Sequence, residues 1–257
     1  MRCSGSGILG SRMSRLFRRF LGKGRAVSFV SLLSYLHHPL ITPREEPSQR
    51  ASLDPLEVAE HVRRCREALE ATSAYRSEQL LRIDRVEEPV IIWTIEHVVP
   101  DRYHVVQSAW RDPDRPTGEL TDQLFDEWLI VGSDHFLKIM GWMRVDQSSR
   151  MSEQFLLRKY LELLGRPDTR LVGVSSVEGS SYLQLECPSL PASSARIYEV
   201  PDAAGQTEMW VDLSTDMLAR ADQVWSQSDN ERRNEFHRVE VFFDQGEAIS
   251  IEPPEGV

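Results

Sequence analysis

Beyond Ser77 the apolar residues recur with a period of two, in run after run separated by turn residues. EQLLRIDRV, PVIIWTIEHVV and RYHVVQSAW are rich in β-branched and aromatic residues, and Pro100-Asp101 punctuates the last two. Side chains alternate between the faces of a strand, so such runs build a sheet with a face against a core. In the second run Ile91, Trp93, Ile95 and Val99 share one face, with His97 the exception. EWLIVGS and HFLKIMGWMRV predict a hairpin turning at Gly132-Ser133-Asp134. Both faces of its second arm carry apolar residues, as on a sheet with a core on one side and something greasy on the other. Leu171 to Pro188 is again strand-like, and QTEMWVDL, MLARADQVWSQ, EFHRVEVFFD and EAISIEP predict four more short strands.

Two helices interrupt this pattern. Asp54 is a predicted N-cap with Pro55 in the first turn, and Val58, Val62, Cys65, Leu69 and Thr72 form the apolar stripe of a helix reaching about Ala74. A second helix is predicted over Ser152–Leu164, with Leu156, Tyr160 and Leu163 as its stripe and Gly165 ending it. Helix, meander, short helix, meander is the order of an α+β chain with an antiparallel sheet, not of a parallel α/β fold.

Charge divides the chain. Residues 1–44 carry eight Arg or Lys and no acid, which leaves 22 bases against 40 acids in 45–257, a net of −18. So acidic a body repels phosphate backbones, which argues against nucleic acid as a partner. The apolar run Ala26–Leu36 behind a basic flank resembles a signal-peptide core and is short for a membrane span. Residues 1–44 are therefore expected to be a basic leader, signal-like or a membrane tether through 26–41, and 45–53 a linker before a domain at 54–257. Met13 offers a second start with a shorter basic flank.

Chemical candidates are few. Asp212 and Asp216 lie four apart in MWVDLSTDMLAR, where turn chemistry between two strands explains them better than acid–base catalysis. Asp134-His135 and Glu96-His97 are adjacent pairs on strands, so their side chains point to opposite faces. A hydrolase using His97 or His135 stays as an alternative that requires a nucleophile within hydrogen-bond reach. Cys3, Cys65 and Cys187 have no metal-ligand spacing, His37-His38 lacks partner ligands, and no nucleotide-binding or zinc-protease motif is present. No metal or cofactor is expected. The six tryptophans all fall in strand-like segments, where they either fill a core or line a cavity for an apolar guest.

The blocks VVPDRYHV, EWLIVGSDHFLKIMGWMRV, EMWVDLSTDMLARADQV and VEVFFDQGEAISIEPP resemble, in order, those of the LolA/LppX-like superfamily of exported lipid and lipoprotein carriers and sensors. Pro100-Asp101-Arg102, Val131-Gly132 with Trp142, Trp210-Val211-Asp212 with Arg220, and Phe243 through Pro253 carry the resemblance. It implies a curved antiparallel sheet, an incomplete β-barrel closed by helices. Between sheet and helices would lie a non-enzymatic cavity for acyl chains, with Trp93, Ile95, Tyr103, Ile139, Trp142, Trp210 and Phe243 as candidate lining. The partners implied are a lipid or acylated ligand, or membrane and envelope proteins. In a sensor of the same fold the guest would be a protein. The chain departs from the family in lacking a lipobox cysteine and the cationic motif of the lipoprotein carriers.

Overall fold

The computed structural model describes residues 53–83, 91–110, 126–138, 141–145, 155–229 and 232–256. The expected leader, the linker up to residue 52, Ser152 and Ile139 lie outside them. Contacts divide the chain into Met1–His38 and Pro39–Val257, and all described residues fall in the second unit.

Helix α1 (Pro55–Ala71) begins where predicted: the Asp54 carboxylate accepts from Leu56 N at 2.9 Å and Pro55 occupies the first turn. Its buried face is the predicted stripe, with Cys65 and Leu69 wholly inside and Val58 and Val62 packed beside them. On the opposite face Arg63 bridges Glu60 and Glu67, helical neighbours worth a few tenths of a kcal/mol each.

Eleven strands among the described residues form one open antiparallel sheet: β1 (Ala74–Ile83), β2 (Ile91–Val98), β3 (Arg102–Trp110), β4 (Asp126–Val131), β5 (Asp134–Lys138), β6 (Trp142–Arg144), β7 (Arg170–Val177), β8 (Ser180–Cys187), β9 (Gly205–Asp212), β10 (Leu218–Asp229) and β11 (Arg232–Phe243). Their order is β6-β5-β4-β3-β2-β1-β11-β10-β9-β8-β7, so the first and last strands pair at the centre and two meanders fan outward. This is the expected incomplete barrel. Tyr75, Ser77, Gln79 and Leu81 of β1 face inward, level with His97, Ile95, Trp93 and Ile91 on β2. Phe242, Glu240 and Arg238 continue the inner rows on β11.

The helices differ more. The segment predicted as one helix over Ser152–Leu164 is a 3-10 turn (Leu157–Tyr160) running into the single turn α2 (Leu161–Leu164). Its start is bent by Tyr75, whose hydroxyl donates to Phe155 O and accepts from Leu157 N, taking backbone groups that a regular helix would use internally. A third short helix, α3 (Ala192–Ile197), lies where no helix was predicted. Its sequence, ASSARI, is too short to show a helical period.

Two strand predictions also change. HFLKIMGWMRV is not one arm: it gives β5 and then β6, which returns to pair Trp142 with Lys138. EAISIEP forms no strand. Ile249 and Ile251 instead lie over Leu129 and Phe136 on the outer face of the sheet, and Arg102 Nη1 donates to Ile251 O at 2.8 Å. The outer face also carries a charged ladder, Asp244–Arg76–Glu96–His104–Glu127–Lys138, linked at 2.6–3.2 Å. Cys65 and Cys187 are free thiols buried in the same cluster, and burial pushes Cys65 up to about 12, far from the reactive thiolate.

Candidate functional site in the half-barrel interior

Strand parity sorts the six predicted lining residues that are described, all but Ile139. Trp93, Ile95 and Tyr103 face inward and belong to one buried cluster with Val105, Ile130 and Trp225, reaching from β4 to β10. Trp93 Nε1 donates to Gln107 Oε1 at 3.1 Å, and Tyr103 stacks flat on His97 with centroids 4.2 Å apart. Trp142, Trp210 and Phe243 lie on the outer face. Trp210 donates to Glu208 at 2.7 Å beneath the Arg220 guanidinium, while its neighbours Met209 and Val211 turn into the core. Trp142 packs by Leu129 and Phe136 under the Lys138 ammonium, and Phe243 sits opposite Arg76. These three follow from a sheet that is apolar on both faces, where composition alone does not mark the inner one.

Two short segments cover the interior. Phe155–Leu164 places Phe155, Leu157, Tyr160, Leu163 and Leu164 against the sheet, and Leu190–Val200 places Leu190, Ala195, Tyr198 and Val200 there. Gly205 on β9 leaves room for the second: a Cβ there would stand 2.5 Å from Leu190 Cγ.

Both segments are fastened through a buried polar network that sequence reasoning missed. Glu240 accepts from Lys159 Nζ at 2.6 Å, Tyr160 Oη at 2.7 Å and Gln79 Nε2 at 2.7 Å. Gln223 Nε2 donates to Tyr160 Oη at 2.9 Å. Arg238 donates to Gln223 Oε1 at 2.8 Å, Ser194 Oγ at 3.1 Å and Tyr198 Oη at 2.9 Å. Lys159 and Glu240 side chains are 1% and 0% exposed, and burial drives the Lys159 ammonium down to about 7 against the pull of Glu240. The signal was present in EFHRVEVFF, where Arg238 and Glu240 share strand parity with Phe236 and Phe242.

At one end of the half-barrel Leu69, Thr72, Tyr75, His97, Val99, Pro100, Leu156, Leu157 and Arg158 bound a cavity of about 70 Å³. Both ring nitrogens of His97 are buried and make no well-formed hydrogen bond to the described residues, and burial pushes the imidazole down to about 4 against a weak pull from the Pro100 backbone. No hydroxyl or thiol among the described residues lies within hydrogen-bond reach of His97, the feature that the hydrolase alternative required. Nδ1 of His135 is likewise buried and unpartnered. Among the described residues no group of acidic, histidine or cysteine side chains is arranged to hold a metal ion.

Asp212 and Asp216 divide their labour. Asp212 Oδ1 accepts from Ser214 N at 2.7 Å, Ser214 Oγ at 2.6 Å and Thr215 N at 3.3 Å, an Asx turn as predicted. Asp216, with φ of 57°, reaches from the β9–β10 turn to α1, meeting His61 Nδ1 at 2.5 Å and Arg64 Nη1 at 3.3 Å. The pair is a turn and a clip, not a catalytic dyad.

No family model matches the sequence, and no curated protein matches it. Solved structures do. Lipoprotein LppX from Mycobacterium tuberculosis aligns over 77% of this chain and 100% of its own, at 12% identity and a TM-score of 0.52. LprF from Mycobacterium bovis aligns over 82% and 100%, at 11% identity and the same TM-score. A LolA superfamily protein from Nitrosomonas europaea aligns over 74% and 94%, at 12% identity and a TM-score of 0.28. Identities this low speak to the fold alone, and the alignments with LppX and LprF, at a TM-score of 0.52, are the ones that bear on it. The chain has a LolA/LppX-like fold.

Proposed function

We propose that the protein is a non-enzymatic carrier, exported or membrane-tethered, that holds a lipid-like apolar guest between its sheet and the two covering segments. The observation that carries this is the inner wall. Trp93, Ile95, Tyr103, Val105 and Ile130 form a continuous apolar surface whose cover on one side is a helix of only 6 residues and its flanking loops. Short covers fixed at a few polar points can be displaced, whereas a long helix packed along its whole length opposes removal with its entire buried stripe. The 70 Å³ cavity is below the roughly 300–1,000 Å³ typical of ligand sites, so guest entry requires the covers to move. Each methylene transferred from water to such a wall contributes about 0.8 kcal/mol, so a chain of about sixteen carbons contributes about 12 kcal/mol and retains about 8 kcal/mol, a micromolar affinity, after an association cost of about 4 kcal/mol. Placement at the cell envelope rests on the basic and apolar run at 1–44. No helix among the described residues is long and apolar enough to cross a membrane. Native mass spectrometry of the purified protein, with titration of fluorescent fatty acids, tests the proposal. Adduct masses and saturable binding are expected, and bare protein with no probe binding rejects it.

A further inference from the structure

We infer that Arg238 and Trp225 form a carboxylate-binding subsite inside the half-barrel, fitted to the head of a long-chain fatty acid whose tail lies along Trp93, Ile95 and Tyr103. The inference rests on the guest-binding function proposed above and assigns the guest its polar end.

The argument is one of unmatched donors. Arg238 is 0% exposed, and among the described residues its guanidinium bonds only neutral oxygens, those of Gln223, Ser194 and Tyr198. The acid nearest along its strand, Glu240, already accepts from Lys159, Tyr160 and Gln79. Arginine stays charged when buried, and no carboxylate among the described residues bonds this guanidinium directly. Arg238 Nε–H has no acceptor among the described residues. Neither has Trp225 Nε1–H, although Trp225 is 2% exposed. The two residues are diagonal neighbours across the β10–β11 pair, since Gln223 stands opposite Arg238 and Trp225 opposite Phe236, all on the inner face.

A buried donor without an acceptor is costly, and two such donors at a guanidinium that no carboxylate bonds call for an anionic acceptor. Gln79 Oε1 is an unpaired acceptor on β1, but its amide nitrogen is held by Glu240, away from Trp225. Around the subsite the wall is apolar, with Leu81, Phe236, Leu190 and Ala195 in the cluster that contains Trp93, Ile95 and Tyr103. Ser194 and Tyr198, which cap Arg238, both belong to the short α3 segment, and Tyr198 also stacks on Trp225 at 4.3 Å. A carboxylate would take over the bonds of these two hydroxyls as that segment lifts. A planar carboxylate also matches the two-pronged guanidinium.

The test compares palmitate, hexadecanol and methyl palmitate on the full chain at pH 8 by displacement of a fluorescent fatty acid. Palmitate is expected to bind at least about tenfold more tightly than the two neutral amphiphiles, as a charge-assisted bond to a buried arginine provides. Arg238→Gln should abolish the preference, bringing the palmitate and hexadecanol affinities of the variant to within about twofold of each other. Trp225→Phe should remove a smaller part of the preference with the fold intact by circular dichroism. It carries the test alone if Arg238→Gln does not fold. Equal binding of acid and alcohol overturns the subsite while leaving guest binding in place. So does a preference that survives both substitutions, or displacement of palmitate by millimolar acetate or inorganic phosphate, which would mark a free-anion site. Failure of all three amphiphiles to bind removes the guest-binding function and the subsite together.

Discussion

Replacing Lys159 by Met removes the cation from Glu240 while keeping a flexible stem of similar length in the core. The side chains of the pair are 1% and 0% exposed, and the N–O distance is 2.6 Å. Deleting one member of such a buried pair strands the other charge, which costs about 3–5 kcal/mol. Glu240 would keep Tyr160 and Gln79 as donors, so the lower end, about 3 kcal/mol, applies. In a domain of this size that corresponds to a fall in Tm of about 6–12 °C. By contrast, an exposed pair such as Arg144–Asp134 is worth at most about 1 kcal/mol, so its loss should barely register. The companion variant Lys159→Met/Glu240→Gln leaves no buried charge in the pair and should recover most of the loss. Differential scanning calorimetry of wild type, single and double variants decides the matter. A Lys159→Met protein melting within about 2 °C of wild type, or a double variant no more stable than the single, refutes the reasoning.

Two further outcomes follow from the geometry. Asp216→Ala should destabilise by about 1–2 kcal/mol in urea melts, because it combines left-handed backbone strain with loss of the clip to His61 and Arg64, whereas Asp216→Asn, which tolerates that backbone, should lose less than about 1 kcal/mol. An Asn variant as damaged as the Ala variant would contradict the division between strain and charge. Burial raises the Glu78 carboxyl to about 7, so the folded chain retains a proton that the unfolded chain releases above its ordinary carboxylate range. Wild type therefore loses stability from this group as pH rises from about 4.5 to 7, by about 3 kcal/mol in all, and Glu78→Gln should gain that much relative to wild type across the window. The opposing slope of His97 is common to both proteins and cancels in the difference. Parallel stability–pH curves would show that Glu78 does not hold its proton.

Local signals made most of the elements legible, because each rests on neighbours in sequence. Asp54 capping Pro55 onward, the Cys65–Leu69 stripe, the turns at Pro100 and Gly132, and the Asx turn at Asp212 are contests between groups a few bonds apart. The order of motif blocks carries the resemblance to an open half-barrel. The helices after Ser152 were less legible, since Tyr75, some 80 residues upstream, captures the backbone at Phe155 and Leu157.

Which apolar face turns inward was beyond the sequence. Trp93 and Trp210 look alike in their runs, and only the pairing of β1 with β11 at the centre sets the parity that buries one inside and leaves the other beneath Arg220. The same holds for the site. Lys159, Tyr198, Gln223, Arg238 and Glu240 are polar residues on separate elements whose meeting depends on long-range closure of the sheet and its two covers. The chain by itself determined strands, turns, caps and charge, since those depend on period and nearest neighbours. The tertiary structure decided the inner wall, the clip at Asp216 and the unmatched donors of Arg238 and Trp225, because a buried group's partners are set by which distant segments pack against it.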